Sequence, residues 1–265
     1  MISPFKDMTA VLFLLAVSCV TSVTGQDNLT PLQRRVEQQR QRLSSSEIEE
    51  RRDALMKLAL IKRPEASRAA AAGLNDQEAI VRVTAAQAIV SLPSDEAAGL
   101  LIPLLKDKLE FVRREIADAL GKTHSHSAVA PLIELLLSDK EDGVRAAAAG
   151  ALGQIKDDSA VTPLVQLLSG KSGKKKSESR ENEFALRAAA QALGEIRNRA
   201  AVGVLIATLG NDLQSSDVRR AAAIALGSIG DAQAMPALRA AIESNDPYLS
   251  EAARSAIRKL EATKN

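Results

Sequence analysis

Apolar residues recur along this chain at a fixed register. Within residues 144–153, Val144, Ala148, Ala151 and Leu152 stand at offsets 0, 4, 7 and 8, which is the spacing of one buried face of an α-helix. The same register returns in residues 81–90, 112–121, 185–194, 218–227 and 249–258. Four of these segments end in Leu-Gly, whereas those starting at 81 and 249 end in Ile89-Val90 and Ile257-Arg258. Consecutive starts are 31, 32, 41, 33 and 31 residues apart, a period of about 32 with one long exception. A seventh copy stands at the front, because Ala54, Leu58 and Ile61 precede Ala85, Ile89 and Leu92 by 31 residues.

A second, shorter apolar stretch precedes the periodic segments, at residues 100–105, 131–137, 163–168, 204–209 and 236–242. Pro131, Pro163 and Pro236 open three of them, where a missing N–H costs a helix nothing. Each unit therefore predicts two helices. Neither can bury its stripe alone, so successive pairs must stack into one continuous core. The predicted architecture is all-α, an α-solenoid of stacked helical hairpins. Gly153 and its counterparts are read as ending or bending the second helix near its last turn. Residues 29–63 are expected to form a polar N-terminal helical cap, with Ser46 and Glu49 as a capping box, and residues 64–262 the repeat domain.

Composition narrows the chemistry. Ala and Leu, 46 and 34 residues, favour close-packed helices over strands. One Cys leaves no intramolecular disulfide, and two His with five aromatics offer little for a metal, haem or sugar site. His124 and His126 lack nearby third and fourth ligands and are expected in a solvent-exposed turn. Gly170-Lys171-Ser172 lacks the glycine and the strand that a phosphate-binding loop requires. No nucleophile stands in a catalytic pattern. A net charge of +2 argues against nucleic-acid binding. No cofactor, metal or catalytic residue is expected.

Residues 1–25 read as an export signal, with Lys6 before an apolar run at 10–17 that is too short to span a bilayer. Cleavage near Val23-Thr24-Gly25 would leave Gln26 as the N-terminus; in the other reading residues 1–18 are a lipoprotein signal and Cys19 is lipidated. The expected location is periplasmic or extracellular, soluble or tethered by lipid, with no transmembrane segment.

The pattern Asp139-x5-Arg145, Ala-rich residues and then Ala151-Leu152-Gly153-Gln154-Ile155 resembles the HEAT repeat, in the short form named after phycobilisome lyases. The resemblance covers residues 64–262 well and 44–63 weakly. It implies that Asp76, Arg82, Asp107, Arg113, Asp139, Arg145 and Arg219 belong to a structural ladder between units, rather than an anion-binding row. The ladder frays toward the C-terminus, where Leu186 and Ser250 take the arginine's place. Hydroxylases of this type carry His-Glu pairs, and none occurs here.

Three features are candidates for binding. The long spacing comes from an insertion at residues 169–182, which includes Lys174, Lys175 and Lys176 and suits an acidic partner or an anionic surface. Phe111, Phe184 and Tyr248 all stand immediately before the first residue of a second helix, either as an exposed ridge or as cover for the gap between units. The second helix, by resemblance the lining of a concave groove, presents Arg114, Arg187 and Arg220 around a smooth centre at Ala146, Ala147 and Gly150. The expected function is a non-enzymatic, monomeric scaffold that binds another protein in a bacterial envelope. The alternative is an enzyme resembling the phycobilin lyases, which attach or position a chromophore.

Overall fold

The computed structural model describes residues 29–170 and 183–262. Among them are fourteen α-helices and no strand. They pair in chain order as seven hairpins: α1 (Pro31–Arg42) with α2 (Ile48–Ile61), α3 (Pro64–Ala70) with α4 (Ala79–Ala88), α5 (Ser94–Leu101) with α6 (Glu110–Thr123), and α7 (Val129–Ser138) with α8 (Asp142–Ile155). The series continues with α9 (Val161–Leu168) and α10 (Glu183–Ile196), α11 (Val202–Leu209) and α12 (Ser216–Ile229), and α13 (Met235–Ile242) and α14 (Pro247–Ala262). The chain is an α-solenoid. Odd-numbered helices form one layer and even-numbered helices the other. From α6 to α14 the even helices pack on one another far more extensively than the odd helices do.

The core between the layers is mostly Ala and Leu, with Val and Ile among them. Leu55, Leu58, Leu101, Leu120, Leu132, Leu152, Leu164, Leu193 and Leu205 are fully buried. Most of the small residues that let the even helices close on one another are the alanines beside them, such as Ala148, Ala189 and Ala222.

The glycine of each Leu-Gly pair does not end its helix. Gly121, Gly153, Gly194 and Gly227 lie inside α6, α8, α10 and α12, two residues before the last. A Cβ at each would come within 2.7–2.8 Å of the backbone Cα of Ala151, Ala192, Ala225 and Ala256 in the next even helix. The glycine is there because two helices touch at that point. The turn out of the helix is made three residues later in the left-handed region, by Lys62, His124, Lys156, Arg197 and Gly230, with φ between 52° and 78°.

Two further expectations need correction. Ser46 does not cap α2; Glu47 holds the cap position without a side-chain bond. Arg51 instead draws in the carbonyls of Ser45 and Ser46 at 2.9 and 3.1 Å and shapes that turn. A capping box does form one helix earlier, between Thr30 and Gln33 at the start of α1. The first helix of the third hairpin begins at Ser94 rather than Leu100, and the chain passes into a 3₁₀ turn at Ile102–Lys106, where Pro103 cannot sustain α-helical bonding. The targeting segment, Cys19 and Lys174–Lys176 lie outside the described residues, and none of the helices described is long and apolar enough to cross a membrane.

Candidate functional site

Asp76, Asp107, Asp139, Asp212 and Asp246 stand in turns from a first to a second helix, and Arg51, Arg82, Arg113, Arg145 and Arg219 stand near the start of second helices. The six-residue spacing of Asp and Arg is not an ion pair. Arg82 donates to the backbone carbonyls of Asp76 and Gln77 at 2.8 and 2.9 Å, and Arg113 to those of Asp107 and Lys108 at 2.9 and 3.4 Å. The carboxylate partner comes from the next unit. Arg51 binds Asp76 at 2.7 and 3.0 Å, Arg82 binds Asp107 at 2.9 Å, and Arg113 binds Asp139 at 2.7 and 3.1 Å. Each Asp also accepts from a backbone N–H two residues on, at Glu78, Leu109 and Glu141. Burial alone would raise the Asp76 carboxyl, but Arg51 and the Glu78 amide hold it below its ordinary value. Each arginine thus fixes its own turn and grips the next one. Arg51 heads this series, and the resemblance did not include it.

The pattern changes at the insertion. Arg145 reaches the carbonyls of Asp139 and Lys140 at 3.0 and 3.2 Å and the Asp142 carboxylate at 3.2 Å. Asp142 in turn accepts from the backbone N–H groups of Phe184 and Ala185 at 3.1 and 3.2 Å, so a side chain of α8 caps α10. Burial pushes the Asp142 carboxyl up, against the pull of Arg145 and the two amides. Further on, Arg219 binds Asp212 at 2.8 Å and the Leu209 carbonyl at 2.9 Å. At the arginine position of the last unit, Ser250 donates to the carbonyl of Ser244 at 3.3 Å.

The opposite edge carries a second series of contacts between neighbours. Ser125, Asp157, Asn198 and Asp231 each cap the 3₁₀ turn that opens a first helix. Across units, Ser125 donates to Asp95 at 2.6 Å, His126 Nδ1 lies 2.6 Å from Asp157, Asn198 donates to Asp158 at 2.8 Å, and Arg199 stands 3.7 Å from Asp231. The histidines belong to this edge. His124 Nδ1 lies 2.9 Å from the Gln154 carbonyl. Among the described residues no three His, Cys, Asp or Glu side chains gather as metal ligands.

Hydrogen bonds from Ser159, and then from His126, hold the Asp157 carboxyl down, from 3.8 to about 2. A depressed carboxyl adds stability above its ordinary value, and that stability is lost as pH falls through the lowered one. Asp157→Asn keeps the cap, as Asn198 does in the matching turn, and removes only the charge. The variant is expected to be less stable than the parent at pH 5 by up to about 1 kcal/mol, and the two urea midpoints should converge as pH approaches 2. A constant gap from pH 5 to pH 2 would remove Asp157 as the source.

The candidate docking residues lie where the even helices begin. Phe184 and Tyr248 are 57% and 71% exposed, while Phe111 is half-buried. The three arginines expected on this face lie over the three aromatic rings: Arg114 over Phe111 and Arg187 over Phe184, each at 5.6 Å, and Arg220 over Tyr248 at 5.5 Å. The first two pairs are one helical turn apart on a single helix. The third crosses from α12 to α14, which sequence spacing does not reveal. Asp217 joins the last two pairs: it is ion-paired with Arg220 and stands 3.7 Å from Arg187. The result is a row, Phe184, Arg187, Asp217, Arg220 and Tyr248, across three consecutive helices. Arg114 faces a different neighbour, because Gly143 stands where α10 and α14 carry an aromatic. Ala146, Ala147 and Gly150 leave α8 without a projecting side chain.

A family model for HEAT repeats matches residues 68–149, 100–182 and 174–258. No curated protein sequence matches the chain. Among solved structures, the complex of CpcE and CpcF of phycocyanin lyase from Nostoc is similar, with a TM-score of 0.52 and 22% identity over 86% of this chain and 94% of that one. Human deoxyhypusine hydroxylase in complex with glycerol has a TM-score of 0.43 and 20% identity over 86% of this chain and 96% of that one. At these identities the likeness is one of fold.

Proposed function

The chain belongs to the HEAT-repeat family, and from that membership we propose that it is a non-enzymatic scaffold or adaptor that binds another protein through the face formed by its even-numbered helices. The observation that carries this reading is the exposure of Phe184 and Tyr248 beneath Arg187 and Arg220. Aromatic and arginine side chains dominate interface hot spots, and here they line a long, otherwise low-relief surface. The chain needs no cofactor for this role and acts as a monomer. Lys6 and the apolar run at residues 10–17 support export to the periplasm or the extracellular space, with either Gln26 or a lipidated Cys19 as the first residue.

Crosslinking and co-purification of the tagged chain from its native envelope, read by mass spectrometry, tests both parts. A partner should be recovered with the parent chain, and recovery should fall on the order of 10-fold or more for Phe184→Ala plus Tyr248→Ala, with an unchanged melting temperature. Undiminished recovery by the double variant would place the contact elsewhere. The intact mass of the same material should correspond to a chain beginning at Gln26 or at a lipid-modified Cys19; a mass that retains Met1 would exclude export.

A further inference from the structure

In the row across α10, α12 and α14, Arg187 and Arg220 form ion pairs with one carboxylate, that of Asp217, while Asp246 adds a more distant negative charge beside Arg220. Arg220 is closely paired with Asp217, whereas Arg187 stands 3.7 Å away and makes no hydrogen bond among the described residues. A guanidinium has five N–H donors in a planar fork, suited to a carboxylate held edge-on. The cation–π contact with Phe184, at 5.6 Å, holds the Arg187 guanidinium near the ring and limits the rotamer entropy that binding would otherwise cost. Asp217 is also out of series. At the position immediately before the first core residue of a second helix, Phe111, Phe184 and Tyr248 are aromatic, and Asp217 puts a carboxylate between two of them.

We propose that this row reads a carboxylate side chain of an extended peptide, and that Asp217 occupies the place of that carboxylate in the unbound chain. The proposal deepens the protein-binding reading above and rests on it. Neighbouring helices in such a stack lie about 8–10 Å apart, and an extended chain advances about 3.3 Å per residue, so about three peptide residues span one unit. An acidic residue between Arg187 and Arg220 therefore puts residues about three positions away on the exposed rings of Phe184 and Tyr248. Ile224, 46% exposed one turn further along α12, offers an apolar contact beside them. The smooth face of α8 leaves room for the peptide to continue toward Phe111 and Arg114.

The test pans the full chain against a displayed library of random dodecapeptides. Selected peptides are then compared by fluorescence anisotropy with counterparts in which Asp is changed to Asn and Glu to Gln. The acidic peptides should bind about 10-fold or more tightly than their amide counterparts, the scale of a charge-assisted hydrogen bond. Arg187→Gln plus Arg220→Gln should abolish that preference, while Arg239→Gln, an exposed arginine on α13, should keep it. Asp217→Asn should bind acidic peptides several-fold more tightly, because the internal competitor is gone. Circular dichroism melting confirms that each variant is folded. Selection of peptides without acidic residues, a preference that survives the arginine double variant, weaker binding by Asp217→Asn, or no selected peptide at all would each overturn the inference. The scaffold reading is decided separately, by whether the native envelope yields a partner.

Discussion

Arg113→Ala is expected to cost about 3–5 kcal/mol, the penalty for breaking a buried ion pair from one side. In a chain of this size that corresponds to a fall in melting temperature of roughly 10 °C. Arg113 and Asp139 have side chains only 11% and 7% exposed, so the carboxylate left behind is desolvated without the guanidinium that faces it. The same substitution removes the donor to the Asp107 and Lys108 carbonyls and loosens a second turn. Arg113→Lys should recover only part of the loss, because an ammonium cannot span two carboxylate oxygens and two carbonyls at once. Arg114→Ala, one residue on and 42% exposed, should change stability by no more than about 0.5 kcal/mol. Urea unfolding of the three variants checks this, and an unchanged midpoint for Arg113→Ala would end the structural assignment of the ladder.

Gly194→Ala and Gly150→Ala are expected to move stability in opposite directions. In an ordinary helix interior, Ala is better than Gly by about 1 kcal/mol. At Gly150 nothing lies within 4 Å of an added Cβ, so that preference is expressed in full and the variant should be more stable. At Gly194 the Cβ would sit 2.7 Å from the Cα and 2.9 Å from the Cβ of Ala225. The nearest atom is backbone and cannot rotate away; α12 must shift as a body. Overpacking of this kind costs about 1–3 kcal/mol and occasionally more, so a net loss of about 1 kcal/mol, and up to about 2, is expected after the helix-propensity gain is subtracted. Thermal melts of the two variants supply the comparison. A stabilised Gly194→Ala would show that the even helices do not meet at that glycine.

Much of this architecture is legible as periodicity. The register of Val144, Ala148, Ala151 and Leu152 marks a buried helical face, and even helices begin at residues 48, 79, 110, 142, 183, 216 and 247, repeating the sequence period. Long-range partnership is harder to see. Asp76 and Arg82 recur six residues apart because the arginine reads the peptide carbonyl of the aspartate, while the carboxylate turns to Arg51, 25 residues earlier. The glycines looked like terminators because they stand near helix ends, but their cause is the alanine Cα of another unit. The second edge is invisible as a motif, since Ser125–Asp95, His126–Asp157 and Asn198–Asp158 solve one geometric problem with three chemistries. In the candidate site the aromatic positions are visible in the sequence. The placement of Arg220 over Tyr248 from the preceding even helix is not.

The arginine–aspartate contacts have a direction: each arginine reaches forward to the following unit, from Arg51 through to Asp139. Beyond that point the neighbours described are joined by the Asp142 cap, the Arg187–Asp217 contact, Asn198 with Asp158 and Arg199 with Asp231, and by much closer packing of the even helices. In a nearest-neighbour description of a repeat array, the front hairpins are therefore coupled chiefly through buried ion pairs and the later ones chiefly through helix contact. Amide exchange should separate the two: Arg82→Gln is expected to speed exchange in α2 and α4 while leaving α10, α12 and α14 unchanged. The proposed docking row lies in the half held by packing, so an incoming peptide would meet a surface whose spacing is already set.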